Sequence, residues 1–125
     1  MLYEDLSEGA AKLLEDYSAG NVSLSAPTFM IYEVGNVLRK AVVKGYLSVG
    51  EAGLRRLLRL RISHVELGVE GLLRTLEYAA EAGLTYYDSA YVIAAERTKT
   101  TLLTADDVLY SKAAETAPAM HLKDY

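Results

Sequence analysis

The sequence has no cysteine and only two histidines among its 125 residues. Without cysteine, the chain cannot form disulfide bonds, thiolate metal sites or a cysteine nucleophile. Because His64 and His121 are the only imidazoles, a histidine-rich zinc site is also disfavoured. Any metal ion would therefore be held by oxygen ligands, which favours Mg²⁺ or Mn²⁺.

Long apolar runs and an excess of basic residues are also missing. No apolar stretch reaches the eighteen or so residues of a membrane-spanning helix. The N-terminus has no basic-then-apolar signal pattern, so we expect a cytoplasmic protein. The net charge of −4 argues against coating of nucleic acid by charge alone. Because 51% of the residues are hydrophobic, residues 1–125 are predicted to form a single globular domain.

One short segment departs from this acidic balance. The sequence LRRLLRLR (54–61) contains Arg55, Arg56, Arg59 and Arg61. The simpler interpretation is the solvated face of a helix whose other face is apolar. The alternative is a patch that contacts the phosphates of RNA, for which Arg55, Arg56 and Arg59 are the candidates.

Hydrophobic periodicity predicts six helices, and short apolar runs between them predict four strands. The helices are expected at about 5–18, 28–44, 48–60, 69–82, 86–98 and 106–115. The strands are expected at 22–25, 63–67, 100–104 and 119–122. Strands that alternate with helices indicate an α/β fold with a short parallel sheet covered on both faces.

Four carboxylates lie where a solvated surface does not explain them. Glu33 borders the apolar stripe of the second predicted helix, and Asp88 lies in the first turn of the fifth. Asp106 and Asp107 directly follow the third predicted strand. Three of them also have an ordinary explanation, because Asp88 and Asp106 can cap helices and Glu33 can pair with a basic residue of its own helix, either Arg39 or Lys40.

A shared ion would explain these carboxylates together. In a parallel sheet, ligands bind beyond the carboxyl ends of the strands, which is where these residues are expected. Two carboxylates 4 Å apart repel by about 4 kcal/mol at an effective dielectric near 20, so a cluster needs a cation or bound protons. A Mg²⁺ ion held in this way can activate water against a phosphodiester. The chain has no glycine-rich phosphate loop and no GxSxG motif, so metal-dependent phosphodiester hydrolysis is the best enzymatic interpretation.

Three segments resemble, in order, successive motifs of the PIN-domain family, and most closely its VapC-type toxins. They are YEVGNVLRKA (32–41), TYYDSAYVIAAE (85–96) and LLTADDVLYSKA (102–113). The resemblance implies a three-layer α/β/α fold and a Mg²⁺- or Mn²⁺-dependent endoribonuclease. It also implies a homodimer and a small antitoxin protein that blocks the active site.

The resemblance assigns roles to particular residues. Glu33 matches the glutamate of the family's second acidic motif, Asp88 the aspartate of the third, and Asp106 the aspartate that follows the strand. These three are the implied catalytic residues, and together with Asp107 they are the implied metal ligands. Thr104, in the T-x-D pattern, is implied as a polar residue that supports the ligands.

The family begins with an apolar strand that ends in an aspartate, and no segment of this chain matches it. Asp5 lies in a predicted helix and does not take that place. We therefore expect either that the true start lies upstream or that the product is shortened, and that the chain with this start binds metal weakly. Two alternatives to a nuclease follow: a catalytically degenerate PIN-like module that keeps its dimer and antitoxin interactions, and a plain helical interaction domain.

Overall fold

The computed structural model describes residues 2–125, with side chains described from Glu8 onward. Within this range, four short strands are interspersed among six α-helices, and a 3₁₀ turn follows the last strand. The elements are α1 (Leu2–Ser18), β1 (Ser25–Pro27), α2 (Met30–Val43), α3 (Leu47–Leu60), β2 (Ser63–Val65), α4 (Gly68–Ala82), α5 (Tyr86–Thr98), β3 (Leu102–Thr104), α6 (Asp107–Ala114), β4 (Ala119–His121) and the turn Leu122–Asp124.

The strands pair in parallel, as the alternation with helices predicted. β1 pairs with β2, with Ser25 opposite Ser63, and β3 pairs with β4, with Thr104 opposite His121. The mixed α/β prediction is confirmed, and the plain helical domain is excluded. The predicted position of the first strand, 22–25, is wrong by about three residues, because the ladder with β2 begins only at Ser25.

The chain contacts divide the protein into two compact units. The smaller unit, Ser25–Glu66, consists of β1, α2, α3 and β2. In this unit α3 packs closely on α2 because it has glycine at the contact. A Cβ atom at Gly50 would lie 2.7 Å from the Val42 side chain, and one at Gly53 would lie 3.1 Å from Leu38.

The larger unit combines the segment up to Leu24 with Leu67–Tyr125. Its core is α5, in which a run of small and apolar residues is buried on nearly every side: Ser89, Ala90, Val92, Ile93, Ala94 and Ala95. Because these side chains are short, α4 and other elements can approach the helix closely. α6 lies against β3 and β4 and buries Leu109 and Ala113.

Helix α4 buries the face that its sequence pattern does not favour. Gly71, Thr75 and Tyr78 are its buried residues. Its apolar stripe is exposed instead, with 74% of Val69, 48% of Leu72, 62% of Leu73 and 60% of Leu76 accessible to solvent. An apolar helical stripe normally faces a core, so this uncovered stripe, which we call the α4 stripe, is a candidate contact surface.

None of the helices in the described part of the chain is both long enough and apolar enough to span a bilayer.

Candidate functional site

Asp88 lies at the start of the buried helix α5, but it does not cap that helix. The N-cap is Thr85, whose backbone is extended and whose Oγ1 accepts a hydrogen bond from the Asp88 N–H at 3.1 Å. The capping role that the sequence suggested for Asp88 therefore belongs to Thr85, which the sequence reasoning missed. The half-buried Asp88 carboxylate is left in the first helical turn, where the helix dipole stabilises negative charge.

The Asp88 carboxylate has no bonded partner in the part of the chain whose side chains are described. None of the described side chains forms a hydrogen bond or an ion pair with it. The next residue, Ser89, is fully buried, and its hydroxyl has no hydrogen-bond partner among the described residues. A buried helix thus holds, at its N-terminal end, a carboxylate that is uncommitted among the described residues.

Asp106 does cap a helix, and it uses one oxygen to do so. Its Oδ1 accepts the Leu109 N–H of α6 at 2.9 Å, so the ordinary explanation for this residue is confirmed. Thr104, the last residue of β3, accepts the Asp106 N–H on its hydroxyl at 3.0 Å. The cap leaves Oδ2 of the exposed Asp106 without a hydrogen bond from the described residues.

Asp107 has a different partner, His121, at the end of β4. Its Oδ1 lies 2.7 Å from Nε2 of His121, which is only 2% exposed. The Lys123 backbone N–H donates to Nδ1 of the same ring at 3.2 Å. Because Nδ1 accepts a hydrogen bond, the ring hydrogen is on Nε2, which donates to Asp107.

The sequence reasoning also missed His121, which has no motif around it. The parallel register supplies a signal that would have found it. His121 lies opposite Thr104, so β4 ends at the same edge as β3, directly beside the two aspartates. A polar residue at the end of the neighbouring strand is expected to contact that pair.

Glu33 lies in the first turn of α2, where it is half-buried. Arg39, one of its two suggested partners, donates a hydrogen bond to Asn36 at 3.2 Å. Glu33 belongs to the smaller unit, whereas Asp88, Asp106 and Asp107 belong to the larger one. Among the side chains from Glu8 onward, no three His, Cys, Asp or Glu residues are grouped so as to hold a metal ion, so the convergence of the four carboxylates stays a prediction.

The chemistry of the donor set fits a hard cation. With respect to the side chains from Glu8 onward, Asp88 has both carboxylate oxygens uncommitted and Asp106 has one, so oxygen donors are available at two element ends of the larger unit. Mg²⁺ and Mn²⁺ prefer such ligands. The one buried imidazole, His121, has both ring nitrogens engaged in hydrogen bonds.

The two units have opposite charge. Residues 25–66 contain seven basic and three acidic residues, a net charge of +4, and the rest of the chain contains six basic and fourteen acidic residues, a net charge of −8. Arg55, Arg56 and Arg59 are all exposed on α3. The segment that departed from the acidic balance is therefore part of a unit with a net positive charge.

Comparison with known proteins identifies the fold. The family model of the PIN domain matches residues 2–115. The crystal structure of PAE2754 from Pyrobaculum aerophilum is similar to this chain with a TM-score of 0.74 and 26% sequence identity. The similarity covers 95% of this chain and 84% of that one. No curated protein sequence matches.

Proposed function

Because this chain belongs to the PIN-domain family, whose members are generally nucleases that use divalent metal ions, we propose that it is a metal-dependent endoribonuclease of the VapC type. The observation that carries the proposal is the uncommitted carboxylate of Asp88. It lies within the family's third motif, at the start of a rigid buried helix. Maintaining a half-buried carboxylate that no described side chain pairs with is costly for a fold, so a role for it outside the fold is expected.

The proposed metal ligands are Glu33, Asp88 and Asp106, with Asp107 as a fourth candidate. A Mg²⁺ or Mn²⁺ ion bound there would supply an activated water and stabilise charge on the phosphodiester. Thr85 fixes the backbone at Asp88, and Thr104 fixes the backbone at Asp106, so both carboxylates start from defined positions.

The proposed substrate is RNA in the cytoplasm, bound through phosphates. The net charge of +4 on residues 25–66 attracts a polyanion, although the whole chain has a net charge of −4. Arg55, Arg56 and Arg59 lie exposed on one helix of that unit and are the candidates for phosphate contact.

The proposed protein partners are a second copy of the chain and a small antitoxin. The α4 stripe supports a protein interface. Its four residues expose on the order of 400 Å² of mostly apolar surface, about half of what one partner of a standard interface buries. We assign the stripe to the homodimer, and the antitoxin to the region of the nuclease site.

Cleavage of labelled RNA by the purified chain, with Mg²⁺ or Mn²⁺ and with EDTA, tests the enzymatic proposal. We expect metal-dependent cleavage that Asp88→Asn lowers by about 100-fold or more, the loss typical when a group that stabilises transition-state charge is removed. The matched control is Glu70→Gln, which removes an exposed carboxylate from the first turn of α4. It should leave the rate unchanged.

Two outcomes would contradict the nuclease proposal. Cleavage that persists in EDTA or in Asp88→Asn would come from a contaminant or from a different site. If the wild-type chain cleaved no RNA with either metal but still bound its protein partners, the degenerate binding module would be the correct alternative.

A further inference from the structure

The first turn of α6 is attached to β4 through a buried imidazole. Asp107 accepts the Nε2–H of His121 at 2.7 Å, and Tyr110, one helical turn later, contacts the same ring edge-on with centroids 5.7 Å apart. The ring is 2% exposed, and its Nδ1 accepts the Lys123 N–H. His121 therefore has both nitrogens hydrogen-bonded and its ring in contact with Tyr110, and these contacts fix its orientation.

Asp106 and Asp107 are adjacent in sequence but differ in how the fold uses them. One oxygen of Asp106 caps α6 by accepting a backbone N–H, and its other oxygen accepts no hydrogen bond from the described residues. Oδ1 of Asp107 is held by a ring nitrogen that has no other acceptor among the described residues. If a metal ion took Oδ1 of Asp107, the buried Nε2–H would lose its acceptor, which is unfavourable.

We propose that Asp107 and His121 are positioning residues that act on the metal site through Asp106. The hydrogen bond between them holds the start of α6 against the end of β4, and this fixes the direction in which Asp106 presents its free oxygen. Partners that orient a metal ligand in this way typically change metal affinity by 10- to 100-fold when they are removed. The inference rests on the proposed function, because it takes Asp106 as a metal ligand.

Substitutions can separate positioning from ligation, because an amide can replace either partner. Asp107→Asn removes the charge but keeps an oxygen that accepts the His121 hydrogen, whereas Asp107→Ala removes both. His121→Gln keeps an N–H donor near the position of Nε2, whereas His121→Phe fills the same space without a donor. The amide variants are thus the matched controls for Asp107→Ala and His121→Phe.

Two measurements on the full chain are needed: Mn²⁺ affinity by calorimetry, and hydrogen exchange of the Leu109 amide without metal. We expect Asp107→Ala and His121→Phe to bind Mn²⁺ about 10-fold more weakly. The Leu109 amide, which Asp106 caps, should exchange faster in both. Asp107→Asn and His121→Gln should keep nearly the wild-type affinity and the wild-type exchange rate.

Several results would overturn the proposal. If Asp107→Asn weakened Mn²⁺ binding as much as Asp106→Asn, Asp107 would be a ligand. If Asp107→Ala kept the wild-type Mn²⁺ affinity and the wild-type exchange rate of the Leu109 amide, the pair would not position Asp106. This test does not depend on whether His121→Phe folds. If Asp106→Asn and Asp88→Asn both kept full Mn²⁺ affinity, the proposed metal site itself would be wrong, and Asp107 would then support only a helix cap.

Discussion

Asp106 is predicted to have two separable roles, one in the stability of α6 and one in metal binding. Asp106→Asn keeps a good N-cap, because asparagine caps helices about as well as aspartate. It removes the charge, which contributes about 0.5 kcal/mol through the helix dipole. Asp106→Ala removes the cap as well, at a further cost of about 1 kcal/mol. That further cost corresponds to a decrease in Tm of about 4 °C for a chain of this length.

Metal-dependent stabilisation separates the two roles more clearly. At a Mn²⁺ concentration of 100 times its Kd, the wild-type protein should gain about 2.7 kcal/mol of unfolding free energy. Asp106→Asn should show little of this gain while unfolding at nearly the wild-type Tm in EDTA. Thermal unfolding with and without Mn²⁺ measures both quantities.

If Asp106→Asn gained as much unfolding free energy from Mn²⁺ as the wild type, Asp106 would not be a ligand. If it lost as much stability in EDTA as Asp106→Ala, the hydrogen bond to Leu109 would not act as the cap.

Three further predictions concern other parts of the chain. Thr85→Ala should lower the free energy of unfolding, measured in urea, by about 1 kcal/mol because it removes the cap of α5. Thr85→Ser, which keeps a capping hydroxyl, should retain most of the wild-type stability. A triple variant in which glutamine replaces Arg55, Arg56 and Arg59 tests phosphate contact. The slope of log affinity for single-stranded RNA against log salt concentration should become shallower by about 2. An unchanged slope would show that these arginines contact no phosphate. Leu73→Glu should convert a dimer to a monomer, as measured by light scattering. It should not lower Tm, because the Leu73 side chain is already 62% exposed in the single chain. A monomeric wild-type protein would contradict the homodimer.

The sequence predicted the helices well because their signals are local. Every observed helix lies within a few residues of its predicted position, since periodicity over several turns and flanking glycines such as Gly83 mark its course and its ends. The strands have three residues each, too few for alternation to fix a position. β1 was misplaced for this reason, and only its pairing with β2 defines it.

The details of the site depended on contacts that sequence reasoning does not include. The sequence offered Asp88 as a cap, but the chain uses Thr85, three residues earlier, because a hydroxyl with extended backbone satisfies the orphan N–H there. His121 lies 14 residues from Asp107, and only the parallel pairing of β3 and β4 brings them together. The α4 stripe was evident as a periodic pattern, but a pattern does not specify what the stripe faces.

The uneven charge distribution has a practical consequence for handling the protein. A net charge of −4 suggests binding to an anion exchanger only, yet residues 25–66 alone have a net charge of +4. Preparations made at low ionic strength are therefore expected to carry over cellular RNA, which a washing step at high salt would release. Assays of cleavage should start from material freed of that RNA, since a copurified strand would compete with the labelled substrate.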